Sequence, residues 1–580
     1  MSEIESLNKS ADELLMHFSR RVEKMKNRDE YSVLMRRLNQ KEAIETAISY
    51  FGEGEHIAVG VDGSMEQAET LEMLLFYVNA IAYSCPFRVA KDSISFEVSS
   101  MKKEDKIGAS SAVPLWVEDL TYVSEERSSS ASAQMQSSLD DVSFSLMLLV
   151  ELTSAIRSAE IDNVKLIFLD RQVSGTFQSL TRDVRYLLKK EKSALEKIHS
   201  GELMRDVFLF NAVPIPELDV PKHGPYLPYH ILQKMIVEGF NLTGACKESG
   251  LSKEETQKVS KFLLDKDRKY RFMQSSDNLS SESAGYLRRL ETTANEVVDR
   301  LFESDKHPLK LGEEWLTTID LNLVNLVKLA SLIRKSLRER RMLIGIAKDT
   351  FSTDVSRSVI PAMKIDESIR PRLKHDRVMF TILSATNETL FTPPWRSIGY
   401  DAVFATLSED DSMTGLKAAR KVASREKMFI KAFFQTRASS KTIFRSPVFL
   451  YDRPFMKEYD EPFCNPRKYM ERDKVESIEP YLEEKQENQA DNMVLLLLAS
   501  SDHPEVYEAY GHNILLYMAD KAAKVDARLK KGMLLGTISL KLTPMARKEK
   551  LFNVIRRYRE TRAEIEALRS EEDRFATRYE

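Results

Sequence analysis

The sequence predicts an α/β fold in which a mixed sheet is flanked by helices and interrupted by a large, mostly helical insertion. Two apolar runs, at 56–62 and 164–170, each end on an aspartate and are typical of buried strands. Residues 181–335 carry mainly helical periodicity, which predicts the insertion. Strand patterns return after residue 336, so we expect two separated parts of the chain to build the sheet.

Composition indicates a globular protein without a strong overall charge. The 580 residues are enough for about two to four domains. The net charge of -3 excludes a global basic field, so any nucleic-acid surface must be local. The widely spaced Cys85, Cys246 and Cys464 form neither a disulfide framework nor a zinc-binding pattern. Without a signal-peptide core or a bilayer-spanning apolar run, we expect a soluble, cytoplasmic protein with no membrane association.

These patterns divide the chain into consecutive regions. They are an N-terminal helical region (1–50), the first part of the core (51–180), the helical insertion (181–335), the second part of the core (336–542) and a charged C-terminal helix (543–580).

In the first part of the core, the run at 56–62 predicts a strand that ends on Asp62, where "DGS" begins a turn. Another strand is predicted between 87 and 99, whereas 73–85 fits either a strand or a helix. The Ser-rich stretch 124–138 predicts a mobile loop. Residues 140–160 predict a helix, since acids at its start suit the helix dipole.

In the second part of the core, several apolar runs predict strands. They lie at 341–352, 377–384, 428–437 and 446–455, with a possible last strand at 536–542. A helix is predicted at 513–531.

The insertion contains a weak helix–turn–helix cadence at 229–264, with Gly250 at the turn. The spacing matches a DNA-reading unit only loosely. Because such cadences are weak evidence by themselves, we favour a structural helical insertion over a DNA-binding regulator.

Acidic residues recur at defined points of this element order. Asp62 ends the first strand, Glu151 lies in the following helix and Asp170 ends a later strand. With two antiparallel strands between the first strand and the helix, this is the order of an RNase H-like domain. Such a domain usually takes a fourth acid from a late helix, and Asp520 is available there.

Converging carboxylates repel one another unless a cation lies between them. Hard cations such as Mn²⁺ and Mg²⁺ prefer carboxylate oxygens. Two such ions, about 3.5–4 Å apart, can activate a water and stabilise both charged oxygens in phosphodiester hydrolysis. The sequence therefore indicates a two-metal hydrolytic site.

Each acid also has a structural interpretation. Asp62 could be an ordinary turn residue, and Asp170 could simply begin a loop. Asp520 could be a surface acid paired with Lys524 four residues later. Glu151 lies in an apolar helical segment, where a carboxylate needs a partner or a metal.

Basic residues near these acids are further candidates. Lys348 ends the apolar strand "IGIAK" and could be a surface lysine at an exposed strand end, but we favour a role in stabilising phosphate charge or binding a phosphate backbone. Arg171 is better interpreted as a local ion pair, and His503 and His512 as structural or surface residues. No P-loop occurs, so an ATPase partner would have to power any translocation.

The blocks "IAVGVDGS", "LLVELTSAIRSAEIDNVKLIFLDRQVSG", "LIGIAKDTFS" and "NILLYMADKAAKV" resemble, in that order, the NurA nucleases of archaea and bacteria. The resemblance implies an RNase H-like core with Asp62, Glu151, Asp170 and Asp520 as metal-binding acids and Lys348 in a "GIxK" strand. It implies a manganese-dependent nuclease that acts on single- and double-stranded DNA ends. It also implies a homodimer that docks on a HerA-like hexameric ATPase in double-strand break repair.

The chain departs from the family pattern after Asp170, where "LDRQVSG" replaces "LDGS". The helical insertion is a second departure. Both keep open an alternative, a NurA-like scaffold with weak or no catalysis that regulates a HerA-type ATPase.

Overall fold

The structure is a computed structural model of the chain. It describes residues 3–26, 29–70, 73–116, 118–123, 131–190, 193–197, 203–213, 215, 217, 227–281, 283–303, 307–360, 363, 375–401, 428–437, 445–460, 467–471, 474–478, 481–483, 486–503, 506 and 508–549.

The strands are numbered in chain order. They are β1 (Met35–Arg37), β2 (Gly54–Thr70), β3 (Met73–Val89), β4 (Ile94–Phe96), β5 (Lys102–Lys103), β6 (Ala109–Trp116), β7 (Val164–Leu169), β8 (Lys310–Leu311), β9 (Glu314–Trp315), β10 (Met342–Ala347), β11 (Trp395–Ser397), β12 (Tyr400–Asp401), β13 (Phe429–Gln435), β14 (Phe449–Pro454), β15 (Arg467–Glu471) and β16 (Lys474–Ile478).

The α-helices are numbered in the same way. They are α1 (Glu3–Met25), α2 (Gln40–Phe51), α3 (Leu120–Val123), α4 (Ala131–Ser158), α5 (Val173–Lys190), α6 (Leu203–Ala212), α7 (Leu227–Val237), α8 (Leu242–Glu248), α9 (Lys253–Tyr270), α10 (Tyr286–Glu303), α11 (Thr318–Arg338), α12 (Asp376–Thr386), α13 (Lys457–Asp460), α14 (Gln489–Ser500) and α15 (Ile514–Glu549). Short 3₁₀ turns lie at Asp29–Leu34, Val98–Ser100, Ala194–Lys197 and Ser283–Gly285, and a π turn lies at Val355–Val359.

One mixed sheet organises the described residues, in the order β1-β11-β13-β14-β10-β7-β2-β3-β4. At its centre, β2 pairs antiparallel with β3 and parallel with β7, and β7 pairs parallel with β10. The eight-residue β6 adds to β3 in antiparallel fashion. The spatial order of these five strands is β6-β3-β2-β7-β10, and α4 connects β6 to β7 along the chain. This is the arrangement of an RNase H-like core. The predicted fold class is therefore confirmed.

The two faces of this sheet are packed by different helices. Val59, Val61 and Ile167 face one apolar core, which they share with α4, α5 and α11. Ala58 and Leu166 face a second core, shared with α2, α14 and α15. Because strand side chains alternate between faces, the near-continuous apolar runs of β2 and β7 are explained by burial on both sides.

The strand β2 differs from its prediction. It does not end at Asp62 but continues to Thr70, because β3 pairs with it along its whole length. Only the pairing with β7 stops, at Val61 opposite Leu169. The prediction of a turn at "DGS" is therefore wrong, since Asp-Gly is turn chemistry only where no neighbouring strand holds the backbone extended.

Three further segments are helical where the sequence indicated otherwise. Residues 377–384 lie in α12, where Met379, Phe380 and Leu383 are buried at helical spacing. The possible strand at 536–542 lies inside α15, and α4 begins at Ala131 within the predicted Ser-rich loop. Residues 124–130, and the predicted C-terminal helix beyond 549, lie outside the described residues. The domain boundaries remain predictions.

In the described part of the chain, none of the helices combines the length and hydropathy needed to cross a bilayer.

The helix α15 approaches β2 closely at a glycine. A Cβ added at Gly60 would lie 2.6 Å from the Cβ of Leu515 and 2.9 Å from its backbone carbonyl carbon. Farther along, the side-chain amide of Asn79 donates to the Ala523 carbonyl at 3.1 Å, and Lys531 pairs with Glu66 at 2.9 Å. These contacts fix α15 along the β2–β3 ribbon.

We expect Gly60→Ala to lower the free energy of unfolding by about 1–3 kcal/mol, because the helix backbone would have to move away from the sheet. Urea unfolding followed by circular dichroism measures this. The matched control is Gly532→Ala in the same helix, where nothing lies within 4 Å of an added Cβ. Equal stability of the two variants would contradict the close packing of α15 on β2.

Candidate functional site

Two aspartates lie at the same level of the sheet, where the pairing of β2 with β7 ends. The pairing of β2 with β7 ends at Val61 and Leu169, and the next residues are Asp62 and Asp170. The Asp170 N–H donates to the Val61 carbonyl at 3.4 Å, which extends the ladder by one bond. Since side chains alternate, Asp62 is expected on the face of Ala58 and Gly60, where α15 packs.

The helix α15 supplies a third carboxylate at this point. Asp62, Asp170 and Asp520 each offer an oxygen, and the three oxygens lie within 4.8 Å of one another. Asp62 is only 6% exposed. Hard divalent cations bind carboxylate oxygens at roughly 2–2.5 Å, so ligands on opposite sides of one ion lie roughly 4–5 Å apart. The three oxygens therefore fit a Mg²⁺ or Mn²⁺ ion.

Glu151 reaches the site from the other face of the sheet. It lies on α4, and a Cβ added at Gly63 would be 2.6 Å from its Oε1. The absence of a side chain at Gly63 lets the carboxylate approach the strand. The Gly63 N–H donates both to Glu151 Oε1 at 3.1 Å and to Asp62 Oδ1 at 2.9 Å, so one backbone donor bridges two of the predicted acids.

Cations accompany the acids. Lys348 donates to Asp170 Oδ2 at 2.5 Å, Arg171 pairs with Glu151 Oε2, and Lys524 pairs with Asp520 at 2.7 Å. The structural interpretations of Arg171 and Asp520 as members of ion pairs therefore hold. The pairing of Asp520 with Lys524 does not prevent its carboxylate from joining the other two aspartates.

The segment after Asp170 enters a helix directly. The carboxylate of Asp452, on β14, accepts from the N–H groups of Val173 (3.0 Å) and Ser174 (2.7 Å) and so caps the start of α5. A Cβ added at Gly345 of β10 would lie 2.4 Å from the Arg171 carbonyl oxygen. The "DRQVSG" sequence thus makes a tight turn from strand to helix that crosses β10 at a glycine.

Burial and mutual repulsion shape the titration of the central aspartates. Burial, followed by the charges of Asp170 and Glu151, raises the pKa of Asp62 to about 9. The pKa of Asp520 is instead lowered: burial opposes its ionisation, but Lys524, Lys348 and a hydrogen bond with Asp62 outweigh it. The hydrogen bond between Asp62 and Asp520 therefore joins a carboxyl group whose pKa is raised to one whose pKa is lowered.

The remaining acids follow the same physics. Burial raises the pKa of Asp170 although Lys348 opposes it, and burial raises the pKa of Glu151 although Arg171 opposes it. Burial, with the positive charge of Lys348 added, lowers the pKa of His512 to about 3. His512 is therefore a neutral, buried residue beside the site, as the structural interpretation expected.

Asp62, Glu151 and Asp170, but not Asp520, line a cleft of about 740 Å³ between α4, α5 and the end of β10. Its walls also carry Arg171, Phe144 and Phe351. Phe351 is 77% exposed, and Phe144 is 48% exposed with the Arg171 guanidinium 5.5 Å from its ring centroid. The cleft thus combines buried acids with cations and aromatic faces open to solvent.

The five residues proposed from the sequence have distinct places here. Asp62, Asp170 and Asp520 meet, Lys348 binds Asp170, and Glu151 contacts Gly63 and Arg171 beside them. Sequence reasoning missed the two aromatic walls. Phe351 follows directly on "IAKDT", so its position after a strand end close to Lys348 was the available signal.

Comparisons with known proteins gave structural similarity only. No protein-family model matches the chain, and no curated protein sequence matches it. The chain is similar to the solved structure of the NurA nuclease from Sulfolobus solfataricus, at 10% identity over 93% of this chain and 98% of that one, with a TM-score of 0.39. Another NurA structure matches at 12% identity, with the same coverages and a TM-score of 0.38.

A third similar structure is that of NurA bound to dAMP and manganese, at 12% identity over 93% of this chain and 98% of that one, with a TM-score of 0.36. All three TM-scores are below 0.5, so the fold and the site rest on the topology and distances of this chain.

The raised pKa of Asp62 predicts a pH-dependent stability in the absence of metal. Between its ordinary value of 3.8 and about 9, the folded chain retains a proton that the unfolded chain has lost. Stability is therefore lost as pH rises through this window. We expect Asp62→Asn, which removes this titration, to unfold at a higher temperature than the original chain at pH 8 in EDTA, and the difference to shrink toward pH 4.

Thermal unfolding at several pH values measures this effect. The control is Asp105→Asn, since the Asp105 side chain is 83% exposed. If the unfolding temperatures of the original chain and of Asp62→Asn changed with pH in the same way, the pKa of Asp62 would not be raised in the folded chain.

Proposed function

We propose that the chain is a divalent-metal-dependent nuclease that hydrolyses phosphodiester bonds in DNA. The observation that carries the proposal is the meeting of three carboxylate oxygens within 4.8 Å, where the pairing of the central strands β2 and β7 of an RNase H-like sheet ends. Buried carboxylates that repel one another are costly, and a cation between them is the simplest compensation. The surrounding cleft is large enough for a nucleotide and carries positive side chains.

In this proposal Asp62, Asp170 and Asp520 hold Mn²⁺ or Mg²⁺, in one or two ions. A bound divalent ion supplies a nucleophilic water near neutral pH and stabilises charge on the phosphate. Because burial and the neighbouring carboxylates raise the pKa of Asp62, metal binding would be coupled to the release of a proton from this group.

The cations at the site have separate roles. Lys348, whose pKa is raised because the carboxylates of Asp170 and its neighbours outweigh burial, stays protonated and offsets phosphate charge. The Arg171 guanidinium forms an ion pair with Glu151 and lies over the ring of Phe144, and these two contacts hold its positive charge at the cleft wall. Among the described residues its Nε is buried and has no hydrogen-bond partner.

The same proposal includes the biological setting that the NurA resemblance implies. DNA ends in double-strand break repair are the substrate, a HerA-like hexameric ATPase is the partner, and the chain acts as a homodimer in the cytoplasm. The support for this part is the order of the sequence blocks that carry the resemblance.

The ion pairs favour one second candidate. Lys348 on Asp170 and Arg171 on Glu151 already neutralise two acids without a metal. A scaffold that regulates a HerA-type ATPase without cutting DNA would need no more than this. Calorimetric titration with Mn²⁺ separates the two, because only the nuclease should bind the ion, and Asp170→Asn should weaken that binding.

We expect Asp62→Ala to lower Mn²⁺-dependent hydrolysis of a DNA oligonucleotide on the order of a hundredfold or more, because it removes a carboxylate from the proposed metal site. The rate is measured on a labelled strand by gel electrophoresis. Asp105→Ala, at an exposed acid that does not line the cleft, should leave the rate unchanged. If Asp62→Ala hydrolysed the strand at the original rate, the assignment of Asp62 to a catalytic metal site would be wrong.

The exposed Phe351 predicts a contribution to single-strand binding. Stacking of one base on an aromatic ring is worth about 1–3 kcal/mol. We expect Phe351→Leu to weaken binding of a short single strand in EDTA by about 5- to 100-fold, whereas Phe351→Trp should retain binding. Fluorescence anisotropy of a labelled oligonucleotide measures both. Equal affinity of the Leu and Trp variants would show that the ring does not contact a base.

A further inference from the structure

The insertion contains a compact three-helix unit formed by α7, α8 and α9. Its apolar side chains pack together and are almost fully buried. They are Ile231, Leu232 and Met235 on α7, Leu242, Ala245 and Cys246 on α8, and Val259 and Leu263 on α9. The sequence indicated helices here but could not show that they share one core.

The connection from α8 to α9 is a tight four-residue turn. Gly250 has a φ of +71°, a conformation that favours glycine, and the Leu251 N–H donates to the Cys246 carbonyl at 3.1 Å. Ser252 then begins α9, where it forms a reciprocal capping box with Glu255. A short turn with glycine between two helices is the kind of connection found in a helix–turn–helix.

A small hairpin follows α9 and is tied to the start of α8. Met273 and Leu279 form an antiparallel bridge, and the buried Phe272 packs on Phe208 with ring centroids 5.2 Å apart. The backbone carbonyl of Asp277 accepts from the Leu242 N–H at 2.8 Å. A hairpin that follows α9 and is hydrogen-bonded to the start of α8 resembles the wing of a winged helix–turn–helix.

One face of α9 has no covering element in the part of the chain that the structure describes. Val259, Leu263 and Tyr270 are buried, whereas Lys258 and Lys261 are exposed on the opposite side. A shallow groove of about 510 Å³ runs along this side, and its walls include Gln257, Ser260, Lys261 and Arg268.

The charge of this face favours a polyanion. The exposed basic residues of α9 are Lys253, Lys258, Lys261, Arg268 and Lys269, and its exposed acidic residues are Glu254, Glu255 and Asp265. Glu255 is engaged by Ser252, and Asp265 pairs with Arg268 at 3.5 Å. Lys258 and Lys261 therefore leave a net positive centre on the face.

We propose that α7–α9 and the hairpin form a second DNA-binding site, separate from the acidic cleft, that places the exposed face of α9 in the major groove of duplex DNA. An α-helix fits the major groove, lysines bind backbone phosphates, and glutamine and arginine can contact base edges. This site requires no DNA end and no metal, so it extends the proposed function without depending on hydrolysis.

The test uses the full chain in EDTA and a short duplex closed by a hairpin loop at each end. Fluorescence anisotropy at several salt concentrations gives the affinity and its salt dependence. We expect the Lys258→Ala, Lys261→Ala double variant to bind about tenfold more weakly, with a slope of log affinity against log salt that is smaller by about two. Alanine preserves helix propensity at these exposed positions, and circular dichroism checks the fold.

The matched control is Lys9→Ala, Lys41→Ala, which removes two exposed lysines from α1 and α2 and should bind like the original chain. An original chain that does not bind the closed duplex would overturn the proposal. An α9 variant that behaves like the control would overturn it too.

Cleavage of a short single strand in Mn²⁺ is read separately. The cleavage rate should be the same in the α9 variant and in the original chain. If the original chain does not cleave the strand, the nuclease proposal is wrong, but the proposal of duplex binding by α9 is unaffected.

Discussion

The candidate site depends on the parallel pairing of β2 with β7. Because that pairing ends at Val61 and Leu169, both strands deliver an aspartate at the same level of the sheet. The register cannot slip, since a shift of one residue would exchange the residues that face the two apolar cores. The packing of the sheet on both faces thus stabilises an arrangement of carboxylates that electrostatics alone would oppose.

Glycines and cations make this crowded arrangement possible. Gly60 lets α15 approach β2 closely enough to bring Asp520 to the site, and Gly63 lets Glu151 reach the strand from the opposite face. Lys348 and Arg171 offset part of the negative charge. Functional centres are often assembled at the expense of stability in this way. The raised pKa of Asp62 is a measurable consequence of crowding buried carboxylates together.

The antiparallel extension of the sheet supports the site from a distance. Its strand β14 supplies Asp452, which caps α5, and Arg453, which lies between Asp460 and Asp491 in a fully buried network. Arg396 and Glu483 form a second buried pair nearby. Buried ion pairs contribute little net stability, but breaking one is costly, so they fix the geometry of the elements that they join.

The sequence could predict elements whose periodicity is set by local burial. The apolar runs of β7, β10, β13 and β14 indicate strands because both faces are buried, and the helical acid Glu151 is detectable because a carboxylate in an apolar segment requires a partner. The order of these elements was sufficient to predict the RNase H-like core. The run at 377–384 was misread because a short apolar stretch fits a buried helix face as well as a strand.

The sequence by itself determined which acids are candidates for the site and the order in which they occur. Only the tertiary structure decided that β2 continues beyond Asp62, because the pairing of β3 across its whole length overrides the turn preference of Asp-Gly. Only the tertiary structure separated the three aspartates that share one point from Glu151, which reaches Gly63 from the other face. That distinction depends on the face of the sheet to which each side chain is turned and on the close approach of α15, and both are set by contacts between residues far apart in the chain.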